Sequence, residues 1–259
     1  MKRYRFLFII IAVVVLITAA YSVYVTSAVD RQVKKISEAY WNRADQENVK
    51  EKSEMHKVPG YTELLKKKGL LDAMVRIAQS DSIGLFLNLP DSMAQMIVKG
   101  VGIRDIPIRE MKLSPFFGKM DVEVLYELFS QPLKINKYKA TIAKEPINEV
   151  QAPKDSSDAN SIPMIQPDTS NMEPVFFILD TEQNVRLYFY QTEGGARDNW
   201  AGFKFGLDDR WQRAKEAMGA LTSGTVPEYI PTIKIGISKE DAKVLYRALP
   251  PSGLVVITL

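Results

Sequence analysis

Few residues in this chain are equipped for chemistry. Its 259 residues include one histidine and no cysteine. The absence of cysteine removes thiolate nucleophiles, disulfides and cysteine-bound metals together. The histidine, His56, sits in a run of charged residues, where it reads as a surface side chain rather than a base or a metal ligand. No Ser-x-x-Lys, Gly-x-Ser-x-Gly or His-Glu-x-x-His occurs, and no glycine loop has phosphate-binding spacing. The acid pairs Asp208–Asp209 and Asp180/Glu182 are accounted for by a helix start and a hairpin turn. No catalytic residue, cofactor or metal is assigned. One stretch, "GGARDNWAGFKF", carries binding chemistry, with Arg197, Trp200, Phe203 and Lys204 close together. An exposed indole among cations can take a sugar or an anionic peptide. The competing reading is that Trp200 and Phe203 pin a glycine-rich loop to the core.

The elements around these residues follow from composition and period. Hydrophobic residues make up 46 % of the chain, charged residues 25 %, and the net charge is +3. That balance is globular and gives no basis for a nucleic-acid partner. Behind Lys2, Arg3 and Arg5, residues Phe6 to Val25 carry no charge. As a helix this run rises about 30 Å, the thickness of a bilayer's hydrocarbon core. It predicts a membrane anchor over 1–29, with the N-terminus in the cytoplasm and the rest of the chain outside it. A signal peptide cut near Thr26-Ser27-Ala28 is the alternative. Residues 30–80 predict a helical stalk, polar nearly all round apart from a short stripe at Val33, Ile36 and Tyr40. Pro59-Gly60 interrupts it, and the helix that follows is expected in two pieces around Gly69.

From residue 81 the pattern turns to strands. Two apolar runs flank Leu89-Pro90-Asp91-Ser92 and predict a hairpin. Ile103, Ile106 and Ile108 predict one further strand, bent near Pro107. Residues 121–129 are read as helix and 133–143 as strand. Residues 145–174 carry five prolines and many Ser, Asp and Asn, and predict an exposed insert. "PVFFILD" and "VRLYFYQTE" predict a second hairpin. A glycine-rich loop and a helix over 207–221 follow. Ile233, Ile235 and Ile237 alternate with Thr232, Lys234 and Gly236, giving a strand with one buried face. Ser238 with Asp241 three residues later forms a capping box, Ala242, Leu245, Tyr246 and Leu249 supply an apolar helix face, and "LVVITL" is a final strand.

The segment "ISKEDAKVLYRALPPSGLVVI" resembles the end of L,D-transpeptidase catalytic domains, through Ser238, Glu240, Asp241, Ala242, Leu245, Tyr246, Pro250, Gly253 and Val255-Val256-Ile257. The first hairpin is similar to that family's opening strands, more loosely. Laid over the family's motif, its histidine falls on Thr232, its nucleophilic cysteine on Lys234 and its arginine on Gly236. The acyl transfer of that family needs an activated nucleophile and oxyanion donors, and none of those groups is kept. In that family the loops before the motif border the substrate groove, which makes Arg197, Trp200, Phe203 and Lys204 candidate groove residues.

The expected architecture is thus α+β: a β-rich, L,D-transpeptidase-like domain over 81–259, on an N-terminal transmembrane helix and a helical stalk. The expected function is binding or scaffolding at the cell wall without catalysis, with peptidoglycan or an envelope protein as partner. An acyl-transfer enzyme using a non-cysteine nucleophile such as Lys234, or a structural subunit of a membrane complex, are the alternatives.

Overall fold

The computed structural model describes Val15 and residues 27–42, 60–144, 173–223 and 229–259. Nine strands form one mixed sheet in the order β3-β2-β1-β9-β5-β6-β7-β8-β4. They are β1 (Ile83–Asn88), β2 (Met93–Val98), β3 (Val101–Pro107), β4 (Glu110–Leu113), β5 (Leu133–Ala140), β6 (Phe176–Thr181), β7 (Arg186–Gln191), β8 (Thr232–Ile237) and β9 (Leu254–Thr258). Helix α1 covers residues 27–42. The other helices are α2 (Tyr61–Ala78), α3 (Pro115–Lys119), α4 (Val122–Phe129), α5 (Ala196–Thr222) and α6 (Lys239–Ala248).

The sheet behaves as two layers around one core. Inward residues of both halves, among them Leu85, Leu87, Leu133, Phe177, Leu179, Phe189, Ile233, Ile235 and Val255, belong to one buried cluster. Phe177 and Phe189 stack inside it with ring centroids 4.6 Å apart. The two edge strands β3 and β4 are consecutive in the chain, separated by Ile108 and Arg109. Ile108 N–H donates to Ser92 O at 2.8 Å on the β1–β2 turn, and Arg109 N–H donates to Gly236 O at 2.8 Å on β8. The expected single strand bent near Pro107 is therefore two strands serving opposite edges. Proline fixes its own φ and has no N–H for a ladder, so the pairing changes partner there.

Each half also has an outer face with its own helix. Ala73 and Ile77 of α2 pack on Ile97 and Val256. Phe205 of α5 packs on Phe176 and Ile178. The two parallel pairs, β7 with β8 and β1 with β9, each need a crossover, and the antiparallel pairs β4–β8 and β5–β9 are also distant in the chain. Helix α6 joins β8 to β9 and buries Ala242, Leu245 and Tyr246 in the main core, as its apolar face predicts.

Several expectations are corrected here. Among the described residues no helix is long and apolar enough to cross a membrane. The described residues form a nine-stranded mixed sheet with helices, and among them the expected transmembrane helix or signal-anchor is not found. The run 6–25 on which that expectation rested lies, apart from Val15, outside the described residues, as does His56. The stripe expected on a free-standing stalk instead meets the domain: Val29 is buried, and Val33, Ile36 and Tyr40 pack against the main core. Three apolar residues at helical spacing are enough for a docked helix even when the rest of its surface is polar. Helix α2 is continuous through Gly69, whose missing side chain faces α4, with Tyr126 O 3.6 Å from where a Cβ would stand. Residues 145–172 of the insert lie outside the described residues.

The helix start at Ser238 forms with one change of partner. Ser238 Oγ accepts from Asp241 N–H at 3.1 Å, as capping requires. The Asp241 carboxylate accepts from the Ser238 hydroxyl at 2.6 Å and from Arg104 Nη2 at 2.7 Å, tying α6 to β3. Ser238→Ala removes the cap and is expected to lower stability by about 1 kcal/mol, measured as a shift of the urea midpoint at unchanged slope.

Candidate functional site

The outer face of β5-β6-β7-β8-β4 is a grid whose rows are set by strand register. Inward residues alternate with outward ones, so Thr232, Lys234 and Gly236 all point away from the core. One row runs Asp180, Arg186, Thr232; a second runs Ile178, Tyr188, Lys234, Lys112; a third runs Phe176, Tyr190, Gly236, Glu110. Helix α5 lies over the β6–β7 side of this grid, and the second and third rows run out from it towards the β4 edge.

Helix α5 corrects the expected loop. The stretch holding Arg197, Trp200, Phe203 and Lys204 is its first turns, and the helix starts eleven residues before the expected 207. Two glycines that suggest a loop in sequence, Gly202 and Gly206, are spaced i, i+4 and lie on the sheet side. A Cβ on Gly202 would stand 2.5 Å from Phe176 Cζ, so glycine is what lets the helix come this close. Small residues repeating at i, i+4 within otherwise helix-forming sequence are the signal that identifies such a segment.

The helix is fastened by a buried ionic chain. Arg186, with its side chain 9 % exposed, donates from Nε to Asp180 Oδ1 at 2.6 Å and from Nη2 to Asp180 Oδ2 at 3.0 Å. Its Nη1 donates to Asp209 Oδ1 at 2.9 Å, and Arg213 Nη2 lies 2.8 Å from Asp209 Oδ2. Two cations thus face two carboxylates, and the forked guanidinium satisfies both acids at once. A hollow of about 270 Å³ opens beside this chain, lined by Lys137, Lys139, Arg186, Arg213 and Glu216 among others. None of these residues was singled out in the sequence, where Asp180 and Asp209 read only as turn and helix-start acids.

The second row has no such balance. Lys112 and Lys234 stand directly opposite each other across the antiparallel β4–β8 pair. Like charges in that relation repel. Lys234 Nζ lies over the Tyr188 ring, 5.5 Å from its centroid. Burial, then Arg210, Arg213 and Lys112, lower the Lys234 pKa from the ordinary lysine range, and Asp209 opposes them only in part. Asp209 is already committed to Arg186 and Arg213. Among the described residues Lys112, Lys234 and Arg210 have no carboxylate at ion-pair distance. At the end of the third row, Tyr190 donates to Glu110 Oε2 at 2.9 Å. Burial and that bond push the Tyr190 pKa up to about 12, so the phenol stays protonated. Gly236 has no room for a side chain: a Cβ would stand 2.8 Å from Thr192 Cγ2 and 2.9 Å from Glu110 Cβ.

The structure therefore brings Thr232, Lys234 and Gly236 together on one strand face, beside Lys112 and Arg210, which sequence reading missed. Arg197, Trp200, Phe203 and Lys204 are on α5, where Trp200 and Phe203 stack at 5.6 Å and are exposed, so they do not pin the segment to the core. Among the described residues no group of His, Asp or Glu is arranged to hold a metal ion. Chemically the Lys234 row offers cations and an aromatic face, which suit the binding of an anion. No family model, curated protein or solved structure matches the chain.

Arg186→Ala leaves the half-buried Asp180 without its cation and the buried Asp209 with Arg213 alone, and is expected to destabilise by about 3 kcal/mol. Arg186→Met, with Asp180 and Asp209 changed to Asn, is expected to recover much of that loss in chemical denaturation.

Proposed function

We propose that this chain is a non-catalytic binding protein of the bacterial cell envelope, an L,D-transpeptidase-like domain that holds an anionic group of the cell wall at the Lys234 row. The observation that carries this reading is the unneutralised group formed by Lys234, on the strand over which the resemblance lays the family's nucleophile, with Lys112 of β4 and Arg210 of α5 beside it. The capped helix and final strand after β8 support it, because they are the part of the sequence that resembles the family. The anion expected here is a peptide carboxylate of the wall's stem. Two or three cations grip a carboxylate through charge-assisted hydrogen bonds, and Tyr188 offers its face to the neighbouring aliphatic part.

Acyl transfer through Lys234 has one observation in its favour, the lowered pKa. A lysine nucleophile also needs a group to accept its proton and donors for an oxyanion. The surroundings of Lys234 supply cations and a protonated phenol, and its one acidic neighbour is held by two arginines.

The purified chain is expected to be retained on isolated peptidoglycan, and Lys112→Ala with Lys234→Ala to weaken retention about tenfold, from the loss of charge-assisted bonds. Retention should fall with salt. It should also fall as pH rises through the lowered pKa of Lys234, since the amine that loses its proton no longer holds an anion. Equal retention of the double variant would refute the site, and turnover of stem peptides that disappears in Lys234→Ala would refute the non-catalytic reading.

A further inference from the structure

Helix α5 is amphipathic the wrong way round for a helix on a protein surface. Its sheet side carries the buried Phe205 and Asp209. Its solvent side carries Trp200, Leu207, Trp211 and Met218, all between 54 and 67 % exposed. The spacings of seven, four and seven residues put these four side chains in one straight line along the helix. Phe203, also exposed, stacks on Trp200 and widens the line. Scattered exposed apolar residues are ordinary, but a continuous ridge of this kind marks a contact surface.

Charge on α5 is sorted in the same sense. Arg197, Lys204 and Lys215 flank the ridge on one side and Arg210 on the other, all exposed. Lys215 Nζ lies over the Trp211 ring at 5.6 Å. The acids are turned away or taken up. Asp209 is bound to Arg186 and Arg213, Asp208 to Lys139, Asp198 receives Gln191 Nε2, and Glu216 lines the hollow on the sheet side. The outward face is therefore apolar at its centre and cationic at its rims.

We propose that this face of α5 seats on an anionic lipid surface, with Trp200, Leu207, Trp211 and Met218 in the headgroup–acyl boundary and the flanking lysines and arginines against the headgroups. A helix lying in the interface has this composition, with aromatic and aliphatic residues on one stripe and Lys or Arg beside it. The contact is on one face only: Phe205 and the Asp209–Arg186 bond keep the opposite face on the sheet, so α5 lies along the surface and does not cross it. A second copy of the chain fits less well. Laid antiparallel over the same ridge, it would bring Lys204 of one copy beside Lys215 of the other, gathering like charges at the rim. The inference shares only Arg210 with the group around Lys234, and its test changes none of that group's residues.

The full chain carrying Trp41→Phe leaves Trp200 and Trp211 as the emitting indoles. Their emission therefore reports on α5 and not on the apolar run 6–25. The chain is mixed with brominated-acyl vesicles of phosphatidylglycerol and phosphatidylcholine in equal parts, or of phosphatidylcholine alone. We expect a blue shift and quenching on the anionic vesicles, weaker on the neutral ones and weakened by salt. Lys204→Glu with Lys215→Glu should raise the lipid needed for half-quenching at least roughly tenfold. Leu207→Glu with Met218→Glu should abolish quenching while far-ultraviolet dichroism is unchanged, because both side chains are exposed. Indoles unquenched on either vesicle, or quenched equally on both, would overturn the proposal. A blue shift that grows with protein concentration in the absence of vesicles would overturn it too, in favour of self-association.

Discussion

The whole arrangement depends on a two-residue link. Ile108 and Arg109 join β3 at one edge of the sheet to β4 at the other, and each backbone N–H is bonded to a different layer. Two residues span only about 7 Å. The outer strands of the two layers are thereby held next to each other, and the sheet has to fold over on itself. That closure explains why inward residues of distant strands meet in a single core, why each layer keeps an outer face for a helix, and why β4 is short and exposed. It also brings Lys112 into register with Lys234, a pairing that no local preference favours.

The two outer faces are used differently. Helix α2 meets its layer through small and aliphatic side chains, Ala73 and Ile77 at the centre. Helix α5 combines an aromatic contact at Phe205 with the Asp180–Arg186–Asp209–Arg213 chain. A buried ionic chain is weak evidence for stability but fixes register well, since a helix slipped by one turn would leave its charges unmatched. Orientation of α5 about its axis is thus determined on the inner side. The outward direction of Trp200, Leu207, Trp211 and Met218 is a result of that determination rather than of any preference of their own.

Much of the layout was legible in the sequence wherever period and turn chemistry agree. The β1–β2 hairpin, the β6–β7 hairpin, the helix at 122–129, and the strand, capped helix and strand from Thr232 onwards follow from alternation, Pro-Asp-Ser and Ser-x-x-Asp. What was not legible depended on contacts made at a distance. Gly202 reads as a loop residue until Phe176 is known to lie beneath it. The bend at Pro107 gives no hint that the next strand belongs at the far edge. Val33, Ile36 and Tyr40 look too few to dock a helix when nothing shows the surface that receives them. For the site, Lys234 stood out in the sequence, while Lys112 and Arg210, which give it its character, lie far from it along the chain and arrive only by register and by packing.

The position of β9 has a consequence for how the protein is made. Of the nine described strands it comes last in the chain, yet it stands between β1 and β5, parallel to the one and antiparallel to the other. Until it arrives, β1 and β5 each present an open edge, and the β1–β2 hairpin has to wait through some 150 residues of further chain. Closing such distant pairs is slow, and bare strand edges invite the wrong neighbour. Productive folding of this domain therefore belongs after translation of its final strand, and nascent chains stalled before Leu254 are the species a chaperone would have to guard.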